Sequence, residues 1–392
     1  MPPIASPATE PTTAPASRPA LRAHAMARGT GLLRRAVPAL AAYTAVRTAG
    51  LVLLALWSHL KHHGLWPALA TSWDSSWYLG IADHGYAQHL SNNNLAFFPL
   101  YPILVKAVAG VTPGSRATIG VLVAMVCSLA AAAGIYAVGE RLYGRRTATV
   151  LTVLWGAMPV ALVQWMGYTE SLFTALAAWS LYAVLTGRWI HAGLLAALAG
   201  LTRPTGLAVA AAVVVPAAVA LWRGNRSVRM VAGALIAPLG WLGYVTWVGV
   251  RVGRWDGYFA VQKLWKNQWD GGADTLREVR RQLVYQGHPQ PFLLVVTAVL
   301  AVSAALWLKC ASDRQALPLL VFTGVLLLVV LGSGGVYFPR ARFLLPAFPL
   351  LLPFAVALAR ARPRTLVVVL GGAALFSAYL GAYMTLVWTG PP

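Results

Sequence analysis

Asp74 opens a run of polar and aromatic residues, WDSSWYLGIADHGYAQHLSNNNLAFFPLYP (73–102), in a chain otherwise made of apolar stretches. A carboxylate held among indole and phenol rings can take a proton from a hydroxyl, the task of a general base. Treated as a helix at about 100° per residue, residues 73–84 place Asp74 on one face with Trp77, Tyr78 and Ile81. Asp83 then falls on the opposite face, so both acids serve one site only if the helix breaks. Partial desolvation on the aromatic face raises a carboxyl's pKa and makes it a better proton acceptor. A helix-start role beside Thr71 and Ser72 fits the same position. Spacing leaves both readings open.

Arginines form a second group. Arg203 lies in TRPTG (202–206), and Arg340 and Arg342 lie in YFPRARFLLP (337–346). Planar guanidinium groups suit a phosphate, while snorkelling to the membrane edge is the plain alternative for each. Glu170, in GYTES (167–171), could pair with an arginine, contact a hydroxylated substrate, or cap the helix that follows. Aromatic and amide groups, Trp73, Trp77, Asn92, Asn93 and Asn94, suit sugars, whose C–H faces stack while their hydroxyls hydrogen-bond. Arg47 stands inside an apolar run and must be paired or face the protein interior.

Other chemistries are disfavoured. The histidines are scattered without metal-ligand spacing, and Cys127 and Cys310 stand alone. There is no Asp-x-Asp, GxxxxGK[ST] or GxGxxG motif, so neither a metal-bound sugar nucleotide nor nucleotide chemistry is indicated. No cofactor is expected.

The elements that must position these residues are membrane helices. The chain of 392 residues is 58% hydrophobic and 10% charged, with mean hydropathy +0.65, which only a polytopic membrane protein accommodates. Apolar runs near 36–57, 117–138, 147–164, 170–187, 229–250, 291–309, 315–332, 342–360 and 364–388, with two more in 189–222, predict about eleven spans. With the N-terminus inside, Arg141, Arg145, Arg146, Arg188, Arg223, Arg226, Arg229, Lys309, Arg314, Arg360, Arg362 and Arg364 face the cytoplasm. Asp74, Asp83, Glu170, Asp256, Asp270, Asp274 and Glu278 fall outside. The net charge of +21 is thus an orientation signal and a contact for anionic membrane lipids, and no nucleic acid is needed to explain it. Residues 1–35 read as a disordered cytoplasmic tail without a signal peptide, and 36–388 as the transmembrane domain. Segments 58–116 and 251–290 read as extracytoplasmic loops, the first ending in a short or re-entrant element at Pro99 and Pro102. No internal repeat is evident.

Trp73, Asp74, Tyr78, Ile81, Ala82, Gly85 and Tyr86, followed by Ala96, Phe97, Phe98, Pro99, Leu100 and Pro102, form a pattern that resembles the PIG-V type mannosyltransferases and their bacterial relatives. Tyr168–Ser171, Thr202, Arg203, Gly206 and the stretch from Arg340 to Pro349 extend the likeness. The resemblance implies an all-α helical bundle of the GT-C class, with its catalytic loop outside the cytoplasm after the first span. It implies polyprenyl-phosphate-mannose as donor, inverting transfer without a nucleotide, and Asp74 as the base. Arg203, Arg340 and Arg342 are the expected donor-phosphate ligands. Trp73, Trp77, Tyr78, Asp83, Phe97, Phe98 and Glu170 are the expected substrate contacts. Family members from eukaryotes carry a carboxylate before Phe-Phe-Pro where this chain has AQHLSNNNL (87–95), so the acceptor stays open between a lipid, a glycan and a protein. The expected function is a cell-membrane glycosyltransferase. A transporter or flippase would instead place ionisable groups near mid-bilayer on repeated halves, and a non-catalytic scaffold would leave the grouped external acids unexplained.

Overall fold

The computed structural model describes residues 18–391 except Asn92, and the side chains from Gly31 onward. These residues are helical, and their single β-bridge joins Trp269 to Ser333. The chain begins with α1 (Arg18–Leu60), and α2 (Leu65–Ala70), α3 (Asp74–His84) and α4 (Leu100–Ala109) precede the long α5 (Arg116–Tyr143). Gly144, at φ +81°, turns the backbone straight into α6 (Arg145–Gly156), a conformation glycine adopts without a Cβ penalty. A 3-10 turn at Ala161–Trp165 leads to α7 (Glu170–Leu185), α8 (Trp189–Gly200), α9 (Gly206–Trp222), α10 (Val228–Ile236) and α11 (Leu239–Val252). The second loop holds α12 (Gly257–Leu264) and α13 (Ala273–Arg280), the latter running into a π-turn at Arg281–Tyr285. The chain ends with α14 (Pro291–Ser312), α15 (Leu317–Gly332), the single turn α16 (Arg340–Phe343), α17 (Leu352–Arg360) and α18 (Pro363–Leu386).

Among the described residues, five helices are long and apolar enough to cross a membrane: Gly31–Leu60, Arg116–Tyr143, Val228–Val252, Pro291–Ser312 and Pro363–Leu386. The other expected spans are shorter or broken. The run 147–164 is α6 followed by an unwound stretch, because Pro159 removes a donor just past Gly156. The run 342–360 holds part of α16, a 3-10 turn and α17. Of the tail expected at 1–35, residues 1–17 lie outside the described residues, and from Arg18 the chain is helical. Pro99 and Pro102 do not prevent a helix: Pro99 caps α4 and Pro102 sits in its first turn, where no N–H is required.

Packing places α5 against α6 and α7, α1 against α18 and α6, and α9 against α15. Helix α8 lies so close to α10 and α11 that Gly193 meets the backbone of Gly233, and Gly240 that of Ala197. This is close approach through small residues, the membrane alternative to a hydrophobic drive. The unwound stretch after α6 is satisfied by side chains. Arg47 Nη1 donates to the Gly156 carbonyl at 2.7 Å, Ser377 Oγ to Met158 at 2.7 Å and Gln164 Nε2 to Trp155 at 3.0 Å. Tyr43 in turn donates to Gln164 Oε1 at 2.9 Å. Irregular backbone inside a bilayer persists only when so provided for. Arg47, expected to be paired or inward-facing, is the inward cap of this break.

The bundle has two chemically distinct ends. Asp83 pairs with Arg116 at the start of α5, while Glu140 near its end pairs with Arg35 at 3.1 Å and Arg145 at 3.3 Å. The helix between them has 28 residues and so is about 42 Å long.

Candidate active site

Four charged side chains from four elements meet at the end that carries Asp83. Asp74 comes from the first turn of α3, Glu170 from the first turn of α7, Arg203 from the turn between α8 and α9, and Arg342 from α16. Arg342 Nη2 donates to Asp74 Oδ2 at 2.6 Å. Its Nε lies 3.1 Å from Glu170 Oε1, and Arg203 Nη1 lies 2.7 Å from the same oxygen. The last two contacts are ion pairs by distance only. The Glu170 oxygens and Arg342 Nε and Nη1 make no aligned hydrogen bond among the described residues. Two carboxylates and two guanidiniums balance in charge, which is what allows them to be buried.

Burial is graded along this chain. The side chains of Glu170, Arg342 and Arg203 are 2%, 4% and 9% exposed, and that of Asp74 is 24% exposed. Asp74 is therefore the member that an incoming molecule can reach, and its Oδ1 accepts no hydrogen bond among the described residues. Rings and hydroxyls fix the arginines. Arg342 stacks over Tyr168 at 5.0 Å, and Phe343 lies between Arg342 (5.4 Å) and Arg203 (5.3 Å). Arg203 donates to Thr169 Oγ1 at 2.8 Å, which also meets the Tyr78 hydroxyl at 3.2 Å.

Trp73 positions Asp74 from the other side. Its φ of +56° costs about 1–3 kcal/mol for a residue with a Cβ, and it is held there by hydrogen bonds. Ser76 Oγ donates to the Trp73 carbonyl at 2.7 Å, and Ser72 Oγ to that of Pro67 at 2.8 Å. Beyond Asp74 stands a wall of rings. Trp77 stacks on Phe97 at 5.5 Å, and Trp265 meets both edge-on at 5.2 and 5.6 Å. Tyr78 completes it against Phe97 at 5.3 Å. Two cavities are lined by sequence neighbours of these residues and not by the four charged side chains themselves. One of about 540 Å³ is lined by Ser72, Trp73, Met166 and Trp388, and one of about 820 Å³ by Lys263, Lys266, Tyr337 and Trp388 among others.

Several expected contacts lie elsewhere. Asp83 is occupied by Arg116 on the far face of α3, as the helical angle requires, and does not join the site. Phe98 is 1% exposed and packs on Tyr244 and Tyr258 in a separate core, because adjacent residues leave an extended segment in opposite directions. Glu170 is too buried to contact a substrate and holds the arginines instead. Arg203 and Arg342 are engaged with carboxylates rather than open to a phosphate. Arg340 bonds the Thr275 hydroxyl and donates to the Ser333 carbonyl at 2.7 Å, a different set of partners from those of Arg342 two residues on. Asn93 and Asn94 tie their own loop, through the Leu95 and Ala87 amides at 2.9 Å each. Asn92 lies outside the described residues. Asp74 meets the Arg342 guanidinium at 2.6 Å, a charged partner that the helical face alone does not reveal. Tyr168, Thr169, Phe343 and Trp265 were not singled out as site residues. The first two stand in GYTES and the third follows Arg342, but their roles depend on contacts far apart in sequence.

Residues 56–224 match the model of a family described as mannosyltransferase (PIG-V). That segment contains Asp74, Glu170 and Arg203. No curated protein sequence matches the chain. Among solved structures, it resembles the archaeal oligosaccharyltransferase AglB from Archaeoglobus fulgidus, in complex with an inhibitory peptide and a dolichol-phosphate. The TM-score is 0.54 at 15% identity, covering 90% of this chain and 56% of that one. It also resembles ArnT from Cupriavidus metallidurans bound to undecaprenyl phosphate, with TM-score 0.54 at 15% identity, covering 83% and 62%. The chain thus spans less than two thirds of the length of either structure, and at this identity the likeness is one of fold. Both structures bear out the reading of an all-α membrane helical bundle with a GT-C-like fold.

Proposed function

We propose that the protein transfers a mannosyl residue from a polyprenyl-phosphate donor to an acceptor hydroxyl on the extracytoplasmic side of the cell membrane, with inversion. One observation carries the reading. Asp74 is the reachable carboxylate of an otherwise buried, charge-balanced cluster, and it stands beside a wall of aromatic rings. In the proposed step Asp74 Oδ1 takes the proton of the acceptor hydroxyl. The acceptor oxygen forms a bond to the anomeric carbon as the bond from that carbon to the phosphate oxygen breaks, and the polyprenyl phosphate leaves with the electron pair. Arg342 keeps Asp74 in place, and once Asp74 has taken the proton the cluster carries a net positive charge that favours the departing anion. Trp73 and Trp77, both partly exposed, provide faces for the sugar. No metal or cofactor is invoked.

The family match over residues 56–224 supports mannose. The dolichol-phosphate in the AglB complex and the undecaprenyl phosphate bound to ArnT support a lipid-linked donor. Outward placement of the site is supported by the arginine-rich turns at the opposite end of the bundle. The test is transfer of labelled mannose from a polyprenyl-phosphate donor by the purified protein in lipid, compared with Asp74→Asn. Loss of transfer with the fold intact supports Asp74 as base, and transfer at the unsubstituted rate refutes it.

A further inference from the structure

The 820 Å³ cleft has a charge composition unlike that of the Asp74 cluster. Its two carboxylates are already engaged. Asp274 accepts from the Gly335 amide at 3.0 Å and pairs with Arg277, and Glu278 accepts from Gln282 at 2.8 Å and lies 3.4 Å from Arg281. Lys263 and Lys266 line the same cleft, are exposed, and have no carboxylate partner among the described residues. The cleft therefore presents uncompensated positive charge.

Its walls are also built for hydroxyls. Gln286 lines the cleft, and its side-chain oxygen is buried without a hydrogen-bond partner, an acceptor left unsatisfied at a cost unless something donates to it. Tyr337 and Trp388 supply rings. The backbone is specialised on both sides: Lys266 sits at φ +60° with its carbonyl against Gly335, and Arg281 begins the π-turn. Such irregularities gather at functional sites. The cleft adjoins the catalytic centre twice. Trp265, next to Lys266, belongs to the ring wall, and Trp388 also lines the cavity of Trp73.

We infer that this cleft is a binding subsite for the phosphate and adjoining hydroxyls of a phosphorylated glycolipid, with Lys263 and Lys266 holding the anion. The inference rests on the glycosyltransferase reading for its substrate class. The phosphate could belong to the donor or to an anionic acceptor, and the chemistry is the same. The full chain in nanodiscs is titrated with a short-chain polyprenyl monophosphate, with mannose 6-phosphate and with mannose. Lys263→Gln/Lys266→Gln is expected to raise the Kd of one phosphorylated probe at least tenfold, while Lys263→Arg/Lys266→Arg keeps it within about threefold. An effect on the lipid phosphate assigns the site to the donor, and one on the sugar phosphate assigns it to the acceptor. Unchanged Kd for both phosphorylated probes, or an equal loss with unphosphorylated mannose, overturns the inference. Asp74→Asn separates the two readings. Probe Kd is read separately from transfer, so a failure of Asp74 as base leaves the lysine result standing.

Discussion

Asp74 and Arg342 form a contact whose two halves do different work, and substitutions should separate them. Asp74→Asn keeps a hydrogen-bond acceptor for Arg342 Nη2 but removes the proton acceptor, so turnover is expected to fall by about 10²–10⁴, with a smaller loss of thermal stability than a fully buried partner gives because the Asp74 side chain is 24% exposed. Glu170→Gln acts in the opposite way. It strands Arg203 and Arg342 in a buried site, and breaking a buried ion pair from one side costs about 3–5 kcal/mol. Unfolding in detergent should show that loss, and adding Arg203→Met should recover part of it. A loss in the double variant equal to the sum of the two single losses would mean that the two residues are not coupled.

Two unwound or latched elements deliver these residues. The break after α6 carries the chain to Tyr168, Thr169 and Glu170, and Arg47 holds its entrance. Arg47→Met leaves the Gly156 carbonyl without its charged donor, a loss of about 1.5–3 kcal/mol, with reduced turnover because the Glu170 turn loosens. An unchanged melting profile would rule out the cap. On the other side, the loop from Trp269 to Thr275 is latched to the turn that leads to Arg342. Asp270 N–H donates to Gly332, and the Asp270 carboxylate accepts from the Gly272 and Asp274 amides at 2.9 and 2.8 Å. Those amides hold the Asp270 carboxyl below its ordinary range. Its contribution is therefore complete above the ordinary carboxylate pKa and is lost as pH falls through the lowered one. Protection of the amides across 270–276, measured relative to their intrinsic exchange rates, should fall in acid, and Asp270→Asn should remove that pH dependence.

At the scale of the molecule, one end of the bundle gathers the acids and the other the arginine-rich turns. The long α5 runs between them, from the Asp83–Arg116 pair to the Glu140 cluster. Cysteines placed at exposed Thr112 and Asn225, in a chain without Cys127 and Cys310, mark opposite ends. A membrane-impermeant thiol reagent applied to intact cells should label Thr112→Cys and reach Asn225→Cys only after permeabilisation. The reverse pattern would place Asp74 in the cytoplasm and remove the extracytoplasmic donor from consideration.

Composition and apolar run length determined the membrane class, since that much hydrophobic surface admits no soluble fold. Local order determined the Asp74 face as well: α3 spans 74–84 as its residues require, and Asp83 points away by helical geometry alone. The pattern around Phe97 identified the family segment but could not divide Phe97 from Phe98, because which ring joins the wall depends on Trp77 and Trp265. Arg340 and Arg342 are alike in sequence and opposite in role. A single helical turn sends one toward Thr275 and the other toward Asp74, a distinction set by partners 65 and 268 residues away. The sequence named the charges; only the packing of α3, α7, α9 and α16 decided which of them neutralise one another and which stay free, because Coulomb pairing is a property of distances that the order of residues does not contain.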